Sequence, residues 1–149
     1  LDYITDLTRN LLRVYKELGE DVDVQINAYD ISIDIDRAIP CGLIINELFS
    51  NCLKHAFGRS GNGKSSSRRR NKITVEINSD SEGILVLTVR DNGAGFPVHL
   101  DLRSTETLGL QLVTTLADQL RGTIDLARDD GTAITIVFPL SANKPDGSG

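Results

Sequence analysis

The sequence predicts an α+β fold, a two-layer α/β sandwich in which three helices cover one face of a mixed, mostly antiparallel sheet. The chain has 149 residues, which suits one domain, and 40% of them are hydrophobic, which suits a globular protein with a packed core. Segments with helical periodicity alternate with pairs of strand-like segments. This order indicates helices that pack on a sheet assembled from strand pairs.

The first predicted elements are a helix and two short strands. Apolar residues recur at helical spacing over residues 2–18, and Gly19 ends this pattern. The runs at 22–26 and 31–35 alternate between apolar and polar residues, so each of them predicts a strand.

A second helix is predicted to run to Phe57, with Asp36 as its N-cap and Pro40 in its first turn. Residues 58–71 follow and contain no hydrophobic side chain. They therefore predict an exposed, flexible loop inserted between this helix and the next strand.

The rest of the chain predicts four strands, one further helix and a disordered tail. In chain order these are the strands 72–78 and 84–90, the helix 107–121, and the strands 123–128 and 132–139. Gly122 is expected to cap the helix, and the turn at 129–131 joins the last two strands. Residues 141–149 form the expected tail.

The bulk composition excludes several classes of function. A net charge of −5 gives no broad basic surface, so we expect neither nucleic acid nor direct membrane contact. No apolar run approaches the length of about 20 residues that spans a membrane. Cys41 and Cys52 lie too far apart along one predicted helix for a disulfide, so we expect two reduced, buried thiols and a cytoplasmic location. No Cys/His cluster has the spacing of a zinc site.

The second predicted helix carries polar residues with complementary chemistry. Glu47, Asn51, Lys54 and His55 fall within an arc of about 100° on a helical projection. They combine a carboxylate, an amide oxygen that can ligate Mg²⁺, an ammonium group suited to phosphate and an imidazole. The solvated face of an ordinary amphipathic helix explains the same spacing, so the spacing alone leaves both alternatives open.

A second cluster follows the strand predicted at 84–90. Asp91 stands at its carboxyl end, where ligands gather in α/β sheets, and its carboxylate can accept a hydrogen bond from the exocyclic amine of adenine. Gly93 and Gly95 allow a ligand to approach the backbone closely. A plain turn is the alternative, but a hairpin turn leads directly into a partner strand, whereas an irregular segment follows here. The two clusters together predict an ATP-binding domain.

A third motif is misleading. Residues 58–65 match the phosphate-loop pattern G-x-x-x-x-G-K-[ST] in full, with Lys64 as its lysine. That loop works between a strand and a helix, because the amides at the helix N-terminus cradle the phosphates. Here a predicted helix precedes the match, and a Ser/Arg-rich stretch without apolar periodicity follows it. We therefore interpret the match as a coincidence of composition.

Four segments resemble one known family. They are NELFSNCLKHAF at 46–57, DNGAGF at 91–96, LGLQLV at 108–113 and GTAITIVFPL at 131–140. Their types and order are similar to those of the Bergerat (GHKL) ATP-binding superfamily, which comprises histidine kinases, gyrase-type topoisomerases, Hsp90-like chaperones and MutL-like proteins. Residues 38–57 look most like the catalytic domain of sensor histidine kinases, in the branch with the second type of dimerisation and phosphoacceptor domain.

The resemblance implies ATP and Mg²⁺ as ligands and a role for each candidate residue. At the phosphate end, Asn51 would ligate Mg²⁺ through its side-chain oxygen, Glu47 would lie near the metal or orient the reacting groups, and Lys54 would contact the phosphates. The third helix would present its N-terminal amides to the phosphates from Leu108, Gly109 and Leu110. The implied contacts to the base and ribose come from His55, Asp91, Gly93, Gly95 and Thr132, the last supporting the aspartate through water.

The resemblance also implies a catalytic ATP-binding domain at 1–140, with 58–71 as an insertion and 96–108 as the lid over ATP. A histidine kinase needs a phosphoacceptor histidine on a helical hairpin, and neither His55 nor His99 is expected on such a helix. We therefore expect the γ-phosphoryl group to go to a histidine on a dimerisation domain absent from this chain, and later to a response regulator. The parent protein would be soluble or membrane-anchored.

The segment around Gly109 departs from the family pattern, because it has one glycine where the family usually has two. This departure fits a branch with a short lid.

Two alternatives within the superfamily stay open. A gyrase- or chaperone-type ATP hydrolase would use Glu47 as general base for water. An anti-sigma-type protein would instead phosphorylate or sequester a partner and would act as a nucleotide-binding switch.

Overall fold

The computed structural model describes residues 6, 9–10, 13, 22–28, 31, 33–53, 71–93, 108–128 and 130–141. Within these ranges it contains two complete helices and five strands. In chain order they are β1 (Asp23–Ala28), α1 (Ile35–Asn51), β2 (Lys72–Ser79), β3 (Ile84–Asp91), α2 (Leu108–Gln119), β4 (Thr123–Arg128) and β5 (Thr132–Pro139). Four residues of the first predicted helix also have helical backbone, namely Asp6, Arg9, Asn10 and Arg13.

The strands form one mixed sheet in the order β1-β2-β3-β5-β4. β1 runs parallel to β2, and every other neighbouring pair in this order is antiparallel. A parallel pair needs a crossover connection, and α1 lies in the connection between β1 and β2. The predicted mixed, mostly antiparallel sheet is therefore confirmed, as are the four strands that follow α1.

The core lies between the helices and one face of the sheet. Alternate residues of the central strands are buried, because successive side chains of a strand point to opposite faces. The buried strand residues are Ile73, Val75, Ile77, Leu85, Leu87, Val89, Ile134, Ile136 and Phe138. The helices contribute the buried side chains of Ile44, Ile45, Leu48, Phe49, Leu110 and Val113 to the same core. This arrangement is the predicted two-layer sandwich.

One predicted strand is wrong. The alternation at 31–35 predicts a strand, but Ile31 and Ile33 lie outside the sheet and Ile35 begins α1. Ile31 is buried and Ile33 packs against the core, whereas Ile35 is 73% exposed. The alternation arises because a connecting segment anchors itself to the core through two isoleucines before the helix starts.

α1 begins earlier than the sequence predicts. Asp34, rather than Asp36, occupies the N-cap position, and its carbonyl accepts hydrogen bonds from the backbone amides of Arg37 and Ala38. Asp36 lies in the first turn, where the helix dipole favours a negative charge, and Pro40 lies inside the helix. Residues 52–53 continue the helix with π-type geometry, and the predicted extension from 54 to 57 lies outside the described residues.

A buried arginine fixes α1 against the other layer. Arg37 is 6% exposed, and its Nη1 donates to the carbonyl oxygens of Leu120 at 3.0 Å and of Pro139 at 2.6 Å. The first carbonyl follows the end of α2, and the second ends β5. One guanidinium therefore pairs the carbonyl oxygens at the ends of a helix and a strand, which would otherwise lack a hydrogen-bond donor.

The end of α2 differs by one residue from the predicted glycine cap. Arg121 has the left-handed conformation, with φ 58°, and its amide donates to the Asp118 carbonyl. The Gly122 amide donates to the Ala117 carbonyl at 2.8 Å, which completes a Schellman motif. Glycine is needed at 122 for a different reason, because a Cβ there would lie 2.8 Å from the backbone oxygen of Val137.

The two cysteines are free and buried, as predicted. Among the described helices, none combines the length and the hydropathy that a membrane span requires.

Candidate functional site

Those predicted site residues that the structure describes lie together at one end of the sandwich, where four elements converge. The C-terminal part of α1 carries Glu47 and Asn51, β3 ends at Asp91, and β5 begins beside it at Thr132. The first turn of α2 completes the group, because Gly109 packs against α1.

Asp91 is the buried acid of this site, with 4% of its surface exposed. Its Oδ1 accepts hydrogen bonds from the backbone amides of Gly93 at 3.0 Å and Thr132 at 3.3 Å. Its Oδ2 accepts a hydrogen bond from the Cys52 thiol, with a sulfur–oxygen distance of 3.5 Å. Three donors from three segments therefore hold the carboxylate in one orientation.

Burial controls the ionisation of this cluster. Desolvation raises the pKa of the Asp91 carboxyl, and the hydrogen bonds from Gly93, Cys52 and Thr132 oppose that rise. Burial, and after it the charge of Asp91, raises the pKa of the Cys52 thiol. The thiol therefore keeps the proton that it donates at neutral pH.

Gly131 allows β5 to start against the end of β3. Its φ is 123°, and a Cβ there would collide with the backbone carbonyl of Asp91. Only glycine fits this approach, which carries the Thr132 amide to the carboxylate. The Thr132 backbone amide donates directly to Asp91, and the water-mediated contact that the resemblance implies for Thr132 stays a prediction.

Asn92 fixes the same strand end to β2. The side-chain Oδ1 of Asn92 accepts a hydrogen bond from the backbone amide of Lys72 at 2.8 Å, and the backbone amide of Asn92 donates to the Lys72 carbonyl at 3.2 Å. The chain that continues to Gly93 therefore leaves the sheet at a fixed point.

Gly109 allows the N-terminus of α2 to lie close to the carboxylate of Glu47 on α1. A Cβ on Gly109 would lie 2.5 Å from Oε2 of Glu47 and 4.0 Å from Oδ1 of Asn51. Both oxygens therefore lie beside the first turn of α2, where free backbone amides and the helix dipole favour negative charge.

The donors on α1 fit a magnesium ion. Mg²⁺ prefers oxygen ligands and is usually held by one or two carboxylates together with substrate phosphates. Nδ2 of Asn51 is buried and has no hydrogen-bond partner among the described residues. An amide nitrogen does not ligate Mg²⁺, but a buried N–H without a protein partner can donate to an oxygen of a bound phosphate, which leaves Oδ1 of Asn51 for the ion. In the described part of the chain, no three His, Cys, Asp or Glu side chains cluster as a metal site.

The remaining predicted residues divide into two groups. Leu108 begins α2, and the side chain of Leu110 lies in the core with 2% exposure, so only its backbone could reach a ligand. Three residues lie outside the described ranges, namely Lys54, His55 and Gly95. So do the phosphate-loop match and most of the predicted insertion, lid and tail.

Sequence reasoning missed two residues that build the site. Cys52 is predicted only as a buried thiol and Gly131 only as part of a turn, yet both hold Asp91 in place. The thiol and the carboxylate are 39 positions apart, so no local pattern connects them. The position of Cys52 directly after Asn51 is the one available signal.

A family comparison shows to which family this chain belongs. Residues 36–142 match the family described as histidine kinase-, DNA gyrase B-, and HSP90-like ATPase. The match covers well over half of the chain and includes all of α1 but its first residue, together with Asp91 and the first turn of α2. The chain belongs to this ATPase family.

Two curated relatives of this family member are histidine kinases. Blue-light-activated histidine kinase 2 of Erythrobacter litoralis is 28% identical over 124 residues, which cover 83% of this chain and 34% of the relative. Sensor histidine kinase PdtaS of Mycobacterium tuberculosis is 30% identical over 111 residues, which cover 72% of this chain and 21% of the relative. The chain therefore spans about a third or less of these relatives' length.

Solved structures of histidine kinases share the fold of this chain. The histidine kinase domain of the Erythrobacter litoralis blue-light-activated kinase aligns with a TM-score of 0.76 at 26% identity, over 93% of this chain and 61% of that one. Histidine kinase AdeS of Acinetobacter baumannii aligns with a TM-score of 0.69 at 16% identity, over 92% of this chain and 64% of that one. The second likeness shows the fold alone.

Proposed function

We propose that this chain is the ATP-binding catalytic domain of a sensor histidine kinase. It binds ATP with Mg²⁺ and transfers the γ-phosphoryl group to a histidine on a helical dimerisation domain outside this chain. The observation that carries the proposal is the buried carboxylate of Asp91, which backbone amides hold at the end of β3. The family match and the relatives named as histidine kinases support it.

Asp91 recognises adenine. Its Oδ1 already accepts from the Gly93 and Thr132 amides, so Oδ2 is the oxygen that accepts the exocyclic amine of the base. Guanine carries a carbonyl at the equivalent position, which would place two acceptors face to face, so the site selects against it. Gly93 and Gly95 let the base approach the backbone, and His55 contacts the nucleotide near the base or ribose.

The phosphate end of the site lies between α1 and α2. The residues that would hold Mg²⁺ are Asn51, through Oδ1, and Glu47, which binds the ion or orients the reacting groups. When bound, the ion neutralises charge on the phosphates. Lys54 contacts the phosphates with its ammonium group, and the backbone amides at 108–110 donate to their oxygens.

The chain contributes to phosphoryl transfer mainly by positioning. Phosphoryl transfer needs little covalent chemistry from the protein, so catalysis depends on holding the γ-phosphoryl group in line with the attacking atom. Asp91 fixes the base at the end of β3, and the first turn of α2 fixes the phosphates beside α1. The acceptor is a histidine imidazole on the dimerisation domain, and a response regulator later takes the group from it in the cytoplasm.

Phosphotransfer in trans tests this proposal. The 149-residue chain is incubated with γ-labelled ATP, Mg²⁺ and the helical phosphoacceptor domain of its own protein. We expect acid-labile, base-stable label on a histidine of that domain, and its loss in Asn51→Ala. Absence of phosphohistidine would contradict the kinase proposal.

The same experiment separates the two alternatives. Steady release of inorganic phosphate without any acceptor, lost in Glu47→Ala, would favour an ATP hydrolase in which Glu47 activates water. Acid-stable label on a protein serine would favour an anti-sigma-type kinase.

A further inference from the structure

We propose that Cys52 is a positioning residue for base recognition, whose thiol orients the Asp91 carboxylate and shares Oδ2 with the exocyclic amine of adenine. This inference rests on the proposed function, because it deepens the role of the same acid. It gives a task to a side chain that the sequence places only in the buried face of α1.

The distribution of donors around Asp91 carries the inference. The two backbone amides, from Gly93 and Thr132, both donate to Oδ1, so neither of them determines the surroundings of Oδ2. Among the described residues, the hydrogen-bond donor to Oδ2 is the thiol of Cys52. A carboxylate oxygen accepts about two hydrogen bonds, so one position on Oδ2 stays open beside the thiol. The amine of the base takes this position.

The chemistry of the thiol suits an oxygen that is shared with a ligand. A thiol is a weak donor, and the sulfur–oxygen distance here is 3.5 Å. Such a donor fixes the torsion of the carboxylate while leaving most of the charge on Oδ2 for the amine. Cys52 is 6% exposed and lies where α1 takes π-type geometry, a feature that is frequent at functional sites.

Cys41 provides a matched control on the same helix. It is also a free, buried cysteine, with 0% exposure, and burial raises its pKa to about 12. Its side chain packs in the hydrophobic core. Replacing either cysteine by alanine removes one buried sulfur from α1, but only the change at Cys52 removes a hydrogen bond to Asp91.

Nucleotide pairs that differ only in the amine test the proposal. Binding of ADP and of purine riboside diphosphate, which lacks the exocyclic amine, is measured by calorimetry with Mg²⁺ for the wild type and for Cys52→Ala, Cys52→Ser and Cys41→Ala. We expect Cys52→Ala to weaken ADP binding by about 3- to 10-fold, the range of one modest hydrogen bond, and to leave the desamino analogue unchanged. Cys52→Ser keeps a donor on a shorter side chain and should recover part of the ADP binding that Cys52→Ala loses, whereas Cys41→Ala should bind both nucleotides like the wild type.

Three outcomes would overturn the assignment. They are equal losses for the two nucleotides in Cys52→Ala, equal behaviour of the alanine and serine variants, or a loss in Cys41→Ala that matches the loss in Cys52→Ala. Asp91→Asn distinguishes this failure from failure of the proposed function. If Asp91→Asn keeps the wild-type preference for ADP over the desamino analogue, base recognition by Asp91 itself is wrong.

An infrared measurement on the wild-type chain tests the same contact without relying on the stability of Cys52→Ala. The S–H stretching band should contain a component at lower frequency from the hydrogen-bonded thiol, which disappears in Cys52→Ser and persists in Cys41→Ala. Addition of ADP should shift this component because the amine joins the same oxygen, whereas the desamino analogue should not. A band that ADP leaves unchanged would contradict a shared oxygen.

Discussion

Replacing Gly109 by alanine should separate stability from function in this domain. Gly109 has no left-handed backbone and lies in the first turn of α2, so alanine is compatible with its conformation. The added Cβ would lie 2.5 Å from Oε2 of Glu47, so the carboxylate must retreat by roughly 1 Å to reach an ordinary contact distance. Asn51 Oδ1, at 4.0 Å, stays in normal contact.

Two opposing terms keep the stability of Gly109→Ala near that of the wild type. Alanine in a helix gains roughly 0.5–1 kcal/mol over glycine. Moving the flexible end of Glu47 away from its rotamer costs about 0.5–1.5 kcal/mol. The net change in the free energy of unfolding should therefore stay within about 1 kcal/mol of zero.

Function should fall much further than stability. A displacement of about 1 Å at a group that orients the reaction can cost about 100-fold in rate. We expect the rate of histidine phosphorylation in Gly109→Ala to drop by about 10- to 100-fold, measured with the acceptor domain in trans, while urea unfolding barely changes.

Gly83→Ala is the matched control for this experiment. Gly83 has φ 79° and open space around it, far from the site in the β2–β3 turn. Alanine there should lower the free energy of unfolding by about 1 kcal/mol or more and leave phosphotransfer unchanged. A wild-type rate of phosphotransfer in Gly109→Ala would refute the assignment of Glu47 to the reaction.

Three further substitutions test how the fold and the site are built. Burial raises the pKa of the Asp91 carboxyl, so this group stabilises the folded state fully below its unfolded-state pKa, and the stabilisation is lost as pH rises through its folded-state pKa. Compared with the wild type, Asp91→Asn should therefore become more stable to urea as pH rises, and it should lose ATP binding. A stability difference that stays constant across pH would contradict this. Arg37→Ala leaves the Leu120 and Pro139 carbonyls unpaired and should lower the free energy of unfolding by about 2–4 kcal/mol, with nucleotide affinity unchanged in the folded protein; a loss below about 1 kcal/mol would disprove its role. Gly131→Ala forces a Cβ against the Asp91 backbone and should reduce both the free energy of unfolding and the nucleotide affinity. A normal affinity would show that the close approach of Gly131 to the end of β3 does not position Asp91.

The sequence predicts the strands of this fold better than the path into α1. The strands from β2 to β5 agree with prediction within one residue, because alternating side chains and turn residues are local signals. The run at 31–35 has the same alternation but lies outside the sheet, because two of its isoleucines pack on the core from a connection. Periodicity reports which residues are buried, and it does not report whether the backbone joins a ladder.

The candidate site divides in the same way. Asp91, Glu47 and Asn51 are predictable, since a strand end and a helical spacing can each be recognised within a few residues. The contact of Cys52 is not, because it joins residues 39 positions apart and depends on the tertiary fold. The same holds outside the site for the contacts of Arg37, which join residues more than 80 positions apart. Such contacts are visible only once the sheet order is known.

Calorimetric titration with Mg²⁺ and a non-hydrolysable ATP analogue shows whether Asp91 binds the nucleotide, when the wild type is compared with Asp91→Ala and Lys64→Ala. Lys64 belongs to the phosphate-loop match, so it distinguishes that motif from the site built around Asp91. We expect the wild type and Lys64→Ala to bind the analogue alike, and Asp91→Ala to bind it at least about 10-fold more weakly. Binding that depends on Lys64 and survives the loss of Asp91 would contradict this expectation.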